Sequence, residues 1–256
     1  MIYDLQKADV WKRASAGPFD LIMKIIGAVG CVFLLSLIVG FNTQTEKYEA
    51  RQAVYEEQYG VSFDEYTNIE EYEKLSDEER ALIDEAFAAF AADEEANYLF
   101  NLLFHLTLIT VTFGILLSFL IFDFAIPMFF KNGQTLGKKI FGVAVMRIDG
   151  VRINGQLLFI RSILGKYTIE TMVPVMLLLM TAFGAVGPLG IVVIAIVLLA
   201  NIIMMLATRT NSGIHDMLAN TVVVDLSSQM IFDTPEELLA YKERVHREAD
   251  ERSDYK

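Results

Sequence analysis

Three stretches of the chain are almost free of charge: Phe19 to Phe41, about Tyr98 to Phe130, and Ile163 to Ala207. The third is broken at Gly184-Ala-Val-Gly-Pro188. A bilayer core needs roughly 20 residues of helix, so the third stretch holds two crossings joined by a tight turn. The pattern predicts an all-α polytopic membrane protein with four transmembrane helices. Lys12 and Arg13 precede the first stretch, as bases precede a signal peptide. That stretch exceeds the roughly 7 to 15 apolar residues of a signal core, and Val39-Gly-Phe-Asn42 lacks a small-x-small cleavage site. It is expected to remain as an anchor.

The polar segments divide the rest. Residues 1–41 hold the N-terminus and first span, 42–97 an acidic insertion, 98–130 the second span, and 131–162 a basic loop. Residues 163–207 hold the third and fourth spans, and 208–256 a C-terminal strand and helix. Lys and Arg accumulate on the cytoplasmic side of membrane proteins. The segment between the second and third spans carries Lys131, Lys138, Lys139, Arg147, Arg152, Arg161 and Lys166 against Asp149, and is read as inside. Both termini then lie inside, in keeping with Lys7, Lys12, Arg13 and Arg209, and the insertion lies outside.

That insertion carries Glu56, Glu57, Asp64, Glu65, Glu70, Glu71, Glu73, Asp77, Glu78, Glu79, Asp84, Glu85, Asp93, Glu94 and Glu95. Ser76-x-x-Glu79 is a capping box, and Leu82, Ile83, Ala86, Phe87 and Phe90 follow at helical spacing. The second span is therefore expected to extend outward as an amphipathic helix, with the Tyr55, Tyr59, Phe63 segment folding back on it. Gathering cations is one role for these carboxylates; a solvated face is the ordinary role of a charge run. Inside, Gly142-Val-Ala-Val-Met-Arg-Ile148 with the Asp149-Gly150 turn signal predicts a strand, and Val151-Arg-Ile153 its return. Thr221-Val-Val-Val224 is a further β-branched run, so a small cytoplasmic β-hairpin or sheet is expected under the helices. Thr234, Pro235 and Glu237 mark the start of a terminal helix.

Composition agrees with a bilayer protein. Hydrophobic residues make up 54% and mean hydropathy is +0.41 despite a net charge of -12, which excludes an ordinary soluble acidic protein. The single cysteine, Cys31, has no intrachain partner, so no disulfide scaffold exists.

The candidate chemistry lies in ionisable residues within the spans. Asp20 and Lys24 are one turn apart in the first, Asp123 is late in the second, and Lys166 and Glu170 form a similar pair early in the third. At about 1.5 Å per residue these carboxylates share a layer near the inner interface. Asp20, Asp123 and Glu170 are candidates for ion or proton handling, Asp123 with Pro127 beyond it freeing a backbone carbonyl. Neutralisation by the i,i+4 lysines into a structural clamp is the other reading. Asn101, His105 and Asn201 are expected to join helices by hydrogen bonds.

Enzymatic signatures are absent. His105, His215 and His246 belong to no metal-ligand pattern, so no metal, cofactor or enzymatic activity is expected. Gly133 to Lys139 has too few residues between its glycines for a phosphate loop, and no Ser or Thr after the lysine. Lys138 and Lys139 are expected to meet anionic lipid headgroups or simply to fix topology. Nothing points to nucleic acid.

Taken together, the motifs resemble the RDD family of bacterial membrane proteins. Arg13-x-x-Ala16-x-x-x-Asp20 is similar to the family's arginine before the first helix and aspartate within it. Gly133-Gln-Thr-Leu-Gly137-Lys138-Lys-x-x-Gly142, then Asp149-Gly150 and Arg161, is the second block. Arg209 followed by His215-Asp216-Met-Leu-Ala-Asn-Thr is similar to the family's His-Asp-x-x-Ala-Gly-Thr ending, with Asn220 where glycine is usual. The resemblance covers about Lys12 to Asp225, excluding the long outer loop and the tail. Many relatives have three crossings rather than four. It implies residence in a bacterial cytoplasmic membrane, and exchange of monovalent cations for protons has been proposed for some members. Arg13, Asp20 and Asp216 are the residues for which the family is named. An Arg13 to Asp216 clasp would tie the first helix to the segment after the last.

Two functions follow. One is a secondary transporter using Asp20 with Asp123 or Glu170, which for four helices requires a homo-oligomer. The other is a non-transporting membrane scaffold or accessory subunit.

Overall fold

The computed structural model describes residues 5–63, 72, 75–130, 132–182 and 184–254. Asp64, Glu65, Glu70, Glu71, Glu73 and Lys131 lie outside the described residues. Among the described residues, four helices are long and apolar enough to span a membrane: Trp11–Ile38, Glu94–Phe129, Gly155–Ala182 and Leu189–Ala207. The most apolar window of the first has no buried residue and that of the fourth only 6%, so their side chains need a lipid-like solvent. The chain forms two compact units, residues 30–114 and residues 1–29 with 115–256.

In the unit of residues 30–114, α1 (Val10–Ile38) ends and Gly40, at φ 67°, turns the chain into α2 (Phe41–Tyr59). The capping box at Ser76 is complete and starts α3 (Asp77–Ala92). Ile83, Ala86 and Phe90 are its buried face, and Tyr48, Tyr55, Tyr59 and Phe63 pack around Ala86, Phe90 and Ala96. The expected continuous extension of the second span is not found. Asp93 is extended, at φ -72° and ψ 121°, and separates α3 from α4 (Glu94–Phe129). Its carboxylate explains the break: Oδ1 accepts the Ala96 N–H at 2.7 Å, while Oδ2 bonds Arg51 and, at 2.8 Å, the Tyr55 hydroxyl. Capping one helix and holding a second requires leaving helical geometry.

The other unit carries a two-stranded antiparallel sheet of β1 (Val143–Arg147) and β2 (Thr221–Asp225), in register Val145↔Val223. Val143, Val145 and Val223 face a core containing Ala8, Ala16 and Leu158. Ala144, Met146, Val222 and Val224 fill a second core on the opposite face. With both faces covered, the strand reads as a continuous apolar run, which is why its alternation is weak. The expected return strand Val151–Ile153 is reduced to isolated bridges from Arg152 to Met146 and from Val151 to Phe232. Pairing stops there because Asn154 caps Leu157 N–H at 2.8 Å and starts α6, which follows the short α5 (Leu136–Ile140).

Helix α6 (Gly155–Ala182) begins eight residues before the apolar run at Ile163, so Arg161, read as a loop residue, is helical. Both α4 and α6 widen to π-helical geometry, over Leu120–Ala125 and Ile160–Met172. Each widened stretch ends two residues before a proline, Pro127 or Pro174. A proline in a helix lacks an N–H and crowds the carbonyl four residues back, and a wider turn relieves the conflict. The remaining elements are α7 (Leu189–Ala207), α8 (Ile214–Leu218) and α9 (Pro235–Asp254). In α9 the Thr234 hydroxyl accepts Glu237 N–H at 3.3 Å, and Glu237 reaches back to Asp233 N–H at 2.9 Å.

Candidate functional site

Four carboxylates and six basic side chains converge in the unit of residues 1–29 and 115–256. Asp20, two residues after Pro18 on α1, is 8% exposed. Its partners come from the Gly133 block: Oδ1 accepts Gly137 N–H at 2.8 Å, Oδ2 accepts the Thr135 hydroxyl, and Lys138 Nζ is 3.9 Å away. Thr135 caps α5, and Gly137 is required there because a Cβ would stand 2.5 Å from the Ala16 carbonyl oxygen. The glycine block is thus a cap pressed against the first helix.

Asp123, 2% exposed, bridges two lysines. Oδ2 meets Lys24 Nζ and Oδ1 meets Lys166 Nζ, each at 2.9 Å. Pro127 has no N–H to offer the Asp123 carbonyl, which accepts the Ser162 hydroxyl at 2.6 Å instead. Ser118 similarly donates to the Lys24 carbonyl at 2.7 Å. The expected i,i+4 pairs, Asp20 with Lys24 and Lys166 with Glu170, are replaced by these interhelical ones. Side chains on the packed face lean toward a neighbouring helix, and one buried carboxylate satisfies two lysines there.

Asp216 on α8 is fully buried. Oδ1 accepts Arg161 Nε at 2.9 Å, with Arg161 Nη2 at 2.7 Å and the Thr221 hydroxyl at 3.2 Å. Oδ2 faces Arg13 Nη2 at 3.6 Å and His215 Nε2 at 3.5 Å. Arg13 also donates to the Thr210 carbonyl at 3.2 Å. Arg161 is therefore the principal partner of Asp216, and Arg13 a more distant one. Glu170 accepts the backbone N–H of His215 at 3.2 Å and meets its Nδ1 at 2.8 Å. Helix α8 lies this close to α6 because Gly165 has no side chain; a Cβ there would be 2.6 Å from His215 Cβ.

Burial opposes ionisation of Asp216, but Arg161, His215 and Arg13 outweigh it and hold the carboxyl well below the usual carboxylate range. His215 is pushed down by burial, against the pull of Asp216 and Glu170. Lys138 is lowered well below the ordinary lysine range by burial, then by repulsion from Lys166 and Arg161. Lys138 is 8% exposed, with its ammonium 3.3 Å from the Thr135 hydroxyl oxygen, and Lys139 stacks over the Phe130 ring at 3.8 Å.

Of the sequence-selected residues, Arg13, Asp20, Asp123, Lys138, Arg161, Glu170, His215 and Asp216 are brought together. Gly133 supports the block at φ 60°, and Arg209 is exposed, outside the cluster. His105 and Asn101 bond to carbonyls four residues back on their own helix, at 2.6 and 2.8 Å, as short polar side chains do in apolar helices. Asn201 accepts Ile214 N–H at 3.4 Å. Sequence reasoning missed Thr135, whose position before Leu-Gly-Lys is a cap signal, and Ser162. Among the described residues no group of three His, Cys, Asp or Glu side chains is placed to hold a metal ion.

Four apolar helices around a buried ionic cluster define a multi-pass membrane protein. The family model described as RDD family matches residues 7–220, and the chain belongs to the RDD family. No curated protein and no solved structure matches the chain.

Proposed function

We propose that the protein is a non-transporting membrane scaffold or accessory subunit, and that the ionic cluster is the clamp that joins its helices to the sheet. One observation carries this reading. Each carboxylate suited to cation or proton exchange is committed to donors on another element: Asp20 to the α5 cap, Asp123 to Lys24 and Lys166, Glu170 to His215. Exchange would require each to release those partners inside an apolar surround, where an unpaired charge costs several kcal/mol. The reading includes no catalytic step. The clustered bases, with Lys7, Lys12 and Arg209, support a bacterial cytoplasmic membrane with both termini inside.

Proteoliposomes of the purified protein, challenged with sodium, potassium or lithium gradients, test it. The scaffold reading expects no cation-driven proton flux above empty liposomes from inserted, folded protein. Flux that disappears in Asp123→Asn or Glu170→Gln would replace it with the exchanger reading, using the same residues in an oligomer.

A further inference from the structure

A cavity of about 330 Å³ lies beside the cluster, an order of magnitude above the ~30 Å³ taken by one water. Arg13, Lys24, Lys138, Arg161 and Lys166 line it, and Asp20 is the only carboxylate residue among its lining residues. The other three carboxylates are not among the lining residues: Asp123 is paired with Lys24 and Lys166, Asp216 with Arg161, and Glu170 with His215. Asp20 itself accepts one hydrogen bond on each oxygen, from the Thr135 hydroxyl and the Gly137 N–H. A cation entering this space meets ammonium and guanidinium groups.

Donors remain to be used. An ammonium carries three N–H groups and a guanidinium five. Lys24 and Lys166 each make one hydrogen bond, to Asp123, and Lys138 one through its ammonium, to Thr135. Arg161 spends its bonds on Asp216 alone, and Arg13 makes one hydrogen bond, to Thr210. The remaining lining includes Met205 and Leu206 from the last turn of α7 and Gly17 on α1. Several cations held in place with spare donors, around a space walled partly by apolar side chains, match the requirements for an oxyanion.

We propose that this cavity binds a phosphate group, supplied either by an anionic phospholipid headgroup or by soluble phosphate. The bound phosphate offsets the repulsion of Lys166 and Arg161 on Lys138, which adds to burial in lowering that lysine. The site stands whether or not the protein transports cations, since it uses the positive wall and not the carboxylates.

Thermal unfolding of the full-length protein tests this in two arms. In detergent, inorganic phosphate is titrated against sodium chloride of equal ionic strength. In nanodiscs, phosphatidylcholine alone is compared with phosphatidylcholine containing phosphatidylglycerol. A saturating rise in Tm in the first arm marks a soluble anion, and a rise confined to the second marks a lipid headgroup. Lys138→Gln is expected to weaken the effective arm by at least roughly tenfold in apparent affinity, the value of one charge-assisted hydrogen bond. Gly17→Phe is the second variant: Gly17 lines the cavity and a Cβ there meets nothing within 4 Å, so the ring is chosen to occupy that space without replacing any ion-pair residue. It is expected to keep its Tm without ligand and lose the response. No response in either arm, an equal response to sodium chloride, or a response unchanged in Gly17→Phe would overturn the proposal.

Discussion

At the scale of single residues, His215 sets the pH behaviour. Burial lowers its folded pKa from the ordinary 6.5. The unfolded chain therefore takes up the proton first as pH falls. The stability this residue contributes is complete above the ordinary histidine pKa and is lost as pH drops through it toward the depressed folded value. Wild-type Tm is expected to fall between about pH 7 and pH 5, and His215→Gln to flatten that slope. An unchanged slope in the variant would mean that another group titrates. Gly137 makes a second case. Because a Cβ there would stand 2.5 Å from a backbone oxygen on α1, Gly137→Ala is expected to cost about 1–3 kcal/mol in chemical denaturation, as overpacking does. Both glycine and histidine are visible in the sequence as motif residues. What they touch is not, because Asp20 with Gly137 and Glu170 with His215 are separated by 117 and 45 positions.

At the scale of elements, the prolines and the widened turns belong together. Ser162 donates to the carbonyl that Pro127 leaves without an N–H, so Ser162→Ala is expected to destabilise by about 1–3 kcal/mol, the cost of a buried unsatisfied acceptor. Adding Pro127→Ala supplies a new N–H four residues on. The double variant should then lose less than the sum of the two single losses; strict additivity would show that the proline and the serine act separately. The sequence made the spans, the capping boxes at Ser76 and Thr234, and the strand runs legible, because each is a local pattern. The end of the Val151 strand was hidden, since it depends on Asn154 starting a helix whose first turns, interrupted by Arg161 and Ser162, read as the end of the loop. The break at Asp93 was hidden for a related reason: an acidic residue in an acidic run gives no sign that Arg51 and Tyr55 will hold it.

At the scale of the whole molecule, the two questions are which way the chain crosses the membrane and whether the cluster locks or moves. The proposed topology, argued from the placement of Lys and Arg, has α3 outside and α9 inside. In a Cys31→Ser background, Glu85→Cys is expected to react with an impermeant thiol reagent on intact cells, and Glu243→Cys only after permeabilisation. The reverse pattern would invert the topology. Composition and span lengths carried the membrane assignment, but they leave a locked cluster and an exchanging one equally open, since both need carboxylates at this depth. Pairing across helices is what supports the locked cluster proposed above, and it depends on side-chain direction, which the sequence does not display.

The clamp itself is tested most directly by unfolding Asp123→Asn, Lys166→Met and the double variant in the same detergent. Removing the carboxylate leaves Lys24 and Lys166 facing each other without compensation, so Asp123→Asn should lose about 3–5 kcal/mol, the cost of breaking a buried pair from one side. The double variant removes one of the two stranded charges and should recover part of that loss. Additive losses, or an Asp123→Asn protein as stable as wild type, would contradict a cluster held together by its fixed cations.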